Sequence, residues 1–584
     1  MRQTPLWGLL PAAVVTATLA VACAANPGPP PVVSDDDPAL STPSEESSSA
    51  TPTPVDAANR SHASIGVDPL GTGLNPHLIA NNTELVDEIA ELVLPSAFHG
   101  EKMDTDLLDS AREVIAPPGT ALRVVYRISS AAQWSDGTPI SGADFIYLWQ
   151  GMVASPGVVS PAGYRAISGI STSDGGRTVT VDFSDRVADW HLLFADLLPS
   201  HLLGEESFDS ALANDIPASA GRYKVDSVDR ARGVITLNRN DRYWGTNPAR
   251  IDIIYLNEIS STEQGVNMLR SGQIGFADLT PQQTTEEFLS LLPEVSSEEL
   301  TRARQLRLQI ALEDAAARRE LSGLIDTAQI ARLATGRNTA LSVPYGGTPD
   351  PTDSTDALRG LGRTVRIAAD PTDDVSARAA SVIVDQLRAR GIDAEAVEDK
   401  MSNITGQLLP AGDVDAVVTW EDTALTSLTM ANAFLCSRDA ADDLAVTASA
   451  SAAPVTAAPD SASSTDSVAP PESTESEATV TTVTSVTSVA STPAAADSAV
   501  PWAGSLTGYC PAEARQTRND ILAGYIAPED ALARVRELNR EEHLYVPLLD
   551  ETRIHALGRG IVGPGTTMDS WREGLLTAPE WELG

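Results

Sequence analysis

The stretch Gln133-Trp134-Ser135-Asp136-Gly137-Thr138-Pro139-Ile140, with Ala143-Asp144-Phe145 shortly after it, carries most of the fold information in this chain. An Asp side chain bonds its own backbone two residues on, and Gly supplies a positive φ, so Asp136-Gly137 marks a tight turn. Trp134 reads as an aromatic plug beside it. Three further segments have the same character. They are Gly221-Arg222-Tyr223-Lys224-Val225, Leu237-Asn238-Arg239-Asn240-Asp241-Arg242-Tyr243-Trp244-Gly245, and Leu269-Arg270-Ser271-Gly272-Gln273-Ile274-Gly275-Phe276-Ala277. Tyr243-Trp244-Gly245 closes a hairpin. All four read as architecture before ligand contact.

Working outward, Ala63–Asp68 reads as a strand. Leu85, Ile89, Leu92 and Val93 then follow helical spacing, with Asn82 or Thr83 as N-cap. Leu122–Ile128 and Thr178–Phe183 alternate like strands around a helix from about Gly142 to Met152. Tyr223–Val228 and Val234–Asn238 form a hairpin, and Ile251–Leu256 is a strand before a helix ending near Gly272. Later, strand Thr364–Ala369 precedes a helix from about Asp374 to Arg390 with apolar Val375, Ala379, Val382, Ile383 and Leu387. Gly391 stops that helix. Strands Ile392–Val397 and Val414–Thr419 complete a β-α-β pattern, for which a right-handed parallel crossover is expected. The class is α/β.

A chain of 584 residues suits several domains or one large two-lobed body. Its 40 Lys and Arg against 80 Asp and Glu give a net charge of −40, which repels phosphate backbones and excludes binding to nucleic acid through a basic face. Residues Leu6–Ala22 are an apolar run after Met1-Arg2-Gln3, closing on Leu19-Ala20-Val21-Ala22-Cys23. That reads as a secretory signal, and the run is short for a spanning helix. Residues 24–62 are Pro-, Ser- and Thr-rich and acidic, a composition that forms no core; as a coil they reach on the order of 35 Å. A second low-complexity tract, 439–500, has no Lys, Arg or aromatic residue and reads as a disordered insertion.

Three cysteines are present. The economical reading is one modified cysteine, Cys23, and a disulfide between Cys436 and Cys510 at the base of the insertion, in an oxidising compartment. Two free buried thiols are the alternative. Such a bridge would close a loop of about 75 residues, worth roughly 4–5 kcal/mol in the chain-entropy account. No zinc-protease, P-loop or nucleophile-elbow motif is present, and Gly558-Arg559-Gly560-Ile561-Val562-Gly563 is followed by Pro564-Gly565 where a nucleotide-binding helix would have to start. The seven His show no metal-ligand spacing. The expectation is no enzyme, no catalytic residue, no metal and no cofactor.

With these residues in view, the four segments resemble, in order, motifs of the extracellular solute-binding proteins of family 5, the oligopeptide/dipeptide receptors of ABC transporters. Leu19-Ala20-Val21-Ala22-Cys23 resembles a bacterial lipobox, with Ala20 where Leu is usual. Gly71-Thr72-Gly73-Leu74-Asn75-Pro76-His77-Leu78 and Leu92-Val93-Leu94-Pro95-Ser96-Ala97-Phe98 resemble the actinobacterial LpqW-like lipoproteins, a subgroup linked to phosphatidylinositol-mannoside and lipoarabinomannan assembly.

The resemblance implies a two-lobed α/β fold of the type II periplasmic-binding class, hinged around an interlobe cleft. The expected division is a signal peptide (1–22), a tether (23–62), lobe I (63–300), lobe II (301–520, with the 439–500 insertion) and a C-terminal return to lobe I (521–584). The implied function is a monomeric, lipid-anchored receptor on the extracytoplasmic face of the membrane. It would bind a peptide-like or other small solute for an ABC permease; the alternative is an LpqW-like role in envelope glycolipid assembly. In peptide-binding members an acid after a strand ending in Trp pairs with the ligand amine. Here that strand is Asp415–Trp420. The family's later Asp-Pro pair is absent, which leaves Glu421 and Asp422 as candidates beside Trp420. Asn75 and His77, where cleft loops begin after the first strand, complete the candidate ligand set.

Overall fold

The structure is a computed structural model that describes residues 60–204, 206–339, 341–344, 350–436, 505–565 and 567–584. Cys23, the signal segment, nearly all of the tether and the 439–500 tract lie outside the described residues.

The strands in chain order are β1 (His62–Val67), β2 (Phe98–His99), β3 (Lys102–Met103), β4 (Leu108–Val114), β5 (Leu122–Ile128), β6 (Ile167–Ser173), β7 (Thr178–Phe183), β8 (Tyr223–Asp229) and β9 (Val234–Arg239). They continue as β10 (Ile253–Glu258), β11 (Phe276–Leu279), β12 (Ser296–Ile310), β13 (Val365–Ala369), β14 (Ala394–Glu398), β15 (Ala416–Asp422), β16 (Tyr545–Leu557), β17 (Ile561–Val562) and β18 (Glu582–Leu583). Ten of them form one sheet in the order β14-β13-β15-β12-β16-β11-β1-β10-β9-β8. A separate sheet runs β4-β5-β7-β6. The expected β-α-β unit is present: β13 pairs in parallel with both β14 and β15, and helix Asp374–Ala389 ends before Gly391 at φ 76°. Ile561 and Val562 of the Gly-rich run are strand β17 paired to β18, followed among the described residues by short 3-10 turns and no α-helix.

The large sheet serves two lobes. A core built on the first half gathers Ile65, Ile89, Val124, Trp134, Phe145 and Tyr223. A second core gathers Leu306, Leu308, Ile310, Ile367, Ile383 and Val418. Strands β12 and β16 run through both lobes. Gln305–Gln309 pair with Asp550–Tyr545 beside the second core, and Ser296–Thr301 pair with Leu557–Thr552 beside β11. Between these halves the register shifts: Arg302, Ala303 and Arg304 stand opposite Glu551 alone. Such a bulge bends a strand and unpairs part of the ladder, here on the β16 side only, since Arg304 still pairs with Asp422 of β15. The first core also takes Leu428–Cys436 and, from the end of the chain, Ala514, Ile521, Ala531, Trp571 and Trp581. Residues 428–436 and 514–520, placed in lobe II by sequence, therefore pack with the first half.

Local chemistry explains the motifs. Asp136 Oδ1 accepts from the Thr138 N–H at 2.8 Å, Gly137 has φ 97°, and Trp134 is fully buried. Ser141 and Asp144 form a reciprocal capping box on helix Gly142–Ala154, and the second Asp144 oxygen accepts from the Ser200 hydroxyl at 2.7 Å. The Thr83 hydroxyl caps helix Glu84–Val93. A Cβ on Gly221 would stand 2.3 Å from the Leu92 carbonyl oxygen, so this motif position admits only glycine. Tyr243 and Trp244 close the β9–β10 connection and donate to Asp106 at 2.8 and 2.7 Å. Cys436 and Cys510 are joined as a disulfide with Cα atoms 5.4 Å apart. Among the described residues no helix is long and apolar enough to cross a membrane.

Candidate ligand-binding cleft

A cavity of about 630 Å³ lies where the lobes meet. One wall comes from the first half (Asp68, Glu84, Thr262) and the opposite wall from the second (Asp370, Ser376, Trp420), with Arg304 and Arg553 of the crossing strands between them. Its size is in the range of small-molecule sites. A smaller cavity of about 120 Å³ adjoins it. Trp420, at the end of β15, lines both.

The strand β15 candidates are brought together. Glu421 and Asp422 line the smaller cavity with Arg307, Gln309 and Tyr545. Burial pushes the Glu421 carboxyl up, against the pull of Arg307. Asp422 is raised for the same reason, opposed by the Ala424 N–H and by Arg304. Arg307 also stacks on the Tyr545 ring, 4.5 Å from its centroid. Asn75 and His77 line neither cavity. Asn75 is fully buried and donates to the Phe208 carbonyl at 3.0 Å while accepting from the His77 N–H at 3.1 Å. The His77 Nε2 lies 2.9 Å from the Asp196 carbonyl oxygen, and burial lowers the ring to about 4. Their hydrogen bonds are spent on holding loops of the first core, which explains why the position after strand β1 does not make them cleft residues.

The charged residues of the crossing strands are the part of the site that the motifs do not mark. Arg553, 4 % exposed, donates from Nε to Asp278 Oδ1 at 2.9 Å, from Nη2 to the Asp278 carbonyl at 3.1 Å and from Nη1 to Thr280 Oγ1 at 3.1 Å, and also pairs with Asp68. Burial alone would raise Asp278, but Arg553, with His555 at 3.1 Å, holds it below the usual carboxylate range. Arg337 is held by both Glu299 oxygens at 3.0 and 2.9 Å and by Thr552 Oγ1 at 3.2 Å. Arg302 pairs with Glu84 at 3.0 Å and Arg304 with Glu551 at 3.2 Å. Asp87, on helix Glu84–Val93, is open to solvent but walled by protein. Burial, with Glu84, Glu551 and Asp422 nearby, pushes its carboxyl up to about 7 against the attraction of Arg304. The arrangement offers hydrogen-bonding and charge recognition. Among the described residues no group of three or more His, Cys, Asp or Glu is placed to hold a metal ion.

Comparison with known proteins agrees with this geometry. The family model described as bacterial extracellular solute-binding proteins, family 5 Middle, matches residues 120–440. The chain is 32 % identical over 334 residues to the probable monoacyl phosphatidylinositol tetramannoside-binding protein LpqW of Mycobacterium tuberculosis, covering 54 % of this chain and 52 % of that one. It is 30 % identical over 192 residues to the oligopeptide-binding protein OppA of M. tuberculosis, covering 31 % and 32 %. The matches thus span about half, or less, of these relatives' length. The oligopeptide-binding protein AppA from Bacillus subtilis, solved in complex with a nonapeptide, superposes with a TM-score of 0.60 at 13 % identity, over 90 % of this chain and 99 % of that one. This likeness shows the two-lobed fold. The motif order, the two lobes around a lined cleft and the match over more than half of the chain together place it among the bacterial extracellular solute-binding proteins of family 5.

Proposed function

We propose that this protein is a lipid-anchored extracytoplasmic receptor that captures a small solute in the cleft between its lobes and presents it to an ABC permease. The observation that carries this reading is the 630 Å³ cavity between two separately cored lobes, with the crossing strands β12 and β16 at its back. Closure around such strands is the standard way in which two-lobed receptors trap ligands. Trp420, Glu421 and Asp422 are proposed solute contacts from the second lobe, and Cys23 the lipidated residue. The lobes are proposed to divide at the β12 bulge, with 521–584 returning to lobe I apart from Val546, Leu548 and Leu549, which join the second core, and the receptor to act as a monomer.

A second reading has its own support. The family's Asp-Pro pair after the β15 tryptophan is missing, and the LpqW relative bears the name of a tetramannoside-lipid-binding protein. On that reading the cleft takes a glycolipid headgroup and the protein acts in envelope assembly. Native mass spectrometry on the full-length protein, purified gently from its host, separates the two. A released peptide supports the transport receptor and a released mannolipid the envelope role. An empty cleft that also ignores a peptide library overturns the first reading. Palmitate labelling that survives in Cys23→Ser would remove the anchor.

A further inference from the structure

Of the arginines lining the large cleft, Arg304 stands apart. Arg337 and Arg553 have oxygen partners on several of their nitrogens. Arg304, 8 % exposed, has one: Nη1 donates to Glu551 Oε2 at 3.2 Å. Its Nε and Nη2 are buried, and among the described residues neither has a hydrogen-bond partner. A buried donor left unmade is costly, more so on a charged group. The unpartnered pair is also chemically specific. Nε and Nη2 form the side-on edge of the guanidinium, whose parallel N–H groups match the two oxygens of a carboxylate or phosphate.

Resting on the reading of the cleft as the solute site, we propose that Arg304 is its oxyanion anchor: the solute carries a carboxylate or phosphate group whose two oxygens take Nε and Nη2. The position suits this role. Arg304 lies in the β12 bulge, and Glu551 on β16 fixes the other side of its guanidinium. The surroundings contain other acids. The Arg304 charge acts on Asp87 from the first lobe and on Asp373 and Asp422 from the second. None of these carboxyls reaches the open edge. Burial raises all three carboxyls, Asp87 to about 7.

The test uses full-length protein stripped of solute and two pairs of probes that differ only in the anionic group: trialanine and trialanine amide, and glycerol 3-phosphate and glycerol. Calorimetry should show one charged member binding at least about tenfold more tightly than its neutral twin. That member distinguishes a carboxylate from a phosphate source. Arg304→Gln should weaken it about 30-fold or more. Arg304→Lys, which keeps the charge but loses the side-on edge, should recover only part. Neutral twins binding equally well on the native protein would overturn the anchor and leave the receptor reading standing; so would a native-like Arg304→Gln that retains full affinity. If no probe and no host solute binds at all, the anchor and the receptor reading fall together.

Discussion

On one side of its bulge, β12 alternates Gln305-Leu306-Arg307-Leu308-Gln309-Ile310, and Leu306, Leu308 and Ile310 are fully buried in the second core. On the other side, Ser296–Thr301 buries only Leu300 and runs beside the part of β16 that carries Arg553 and His555. One strand is thus held by dispersion and apolar burial at one end and by ion pairs and hydrogen bonds at the other. The difference follows from what each end faces. The apolar end sits inside a lobe, whereas the charged end runs beside Thr552 and Arg553, which line the cleft. The charged half also gains directional contacts that fix residues such as Arg553 in place.

Breaking the charged half should cost most. Arg553→Met leaves Asp278 buried without its cation and should lose about 3–5 kcal/mol in urea unfolding at pH 7. Adding Asp278→Asn should recover much of that loss; no recovery would mean that packing, not charge, holds this end. On the apolar half, Leu308→Ala should cost about 3 kcal/mol through cavity formation, with solute affinity unchanged. Asp87→Asn sharpens the comparison through pH. The folded Asp87 holds its proton up to about 7, whereas an unfolded Asp releases it near 4. Native stability therefore falls as pH rises through this window. The variant should be the more stable at pH 8, by on the order of 1 kcal/mol after allowance for solvent screening, and the gain should vanish toward pH 4. A gain that persists at pH 4 would remove the electrostatic explanation. The smallest effect belongs to Glu298→Gln, which breaks a solvent-screened pair with Arg572 at 2.9 Å; the thermal unfolding midpoint should stay essentially where it is.

How much of this was legible in the sequence depended on how local the signal was. The Asp136-Gly137 turn, the helix after it and the β13–β14–β15 unit between Val365 and Asp422 each declare themselves in one continuous stretch of chain, and the structure has all of them. The crossing strands were not read. Charges crowd the first half of β12, and Pro547 interrupts the β16 pattern, because these segments serve a cleft as well as a core. The alternation from Gln305 to Ile310 was the available signal. The cleft chemistry was harder still. Arg553 meets Asp278 across 275 positions, a pairing that no short motif encodes. Asn75 and His77 show the converse: residue types suited to binding, at an apt position, were consumed by loop-closing hydrogen bonds.

The disulfide between Cys436 and Cys510 has a topological consequence. It closes a covalent ring whose ends stand 5.4 Å apart between Cα atoms, and within that ring Leu506 is buried while Ser505, Leu506 and Thr507 line the smaller cavity. A single protease cut inside it would leave one molecule on a non-reducing gel and two fragments after reduction. In design terms, an exchange made inside the ring must leave residues 505–507 in place, because they form part of the wall that also carries Glu421 and Asp422.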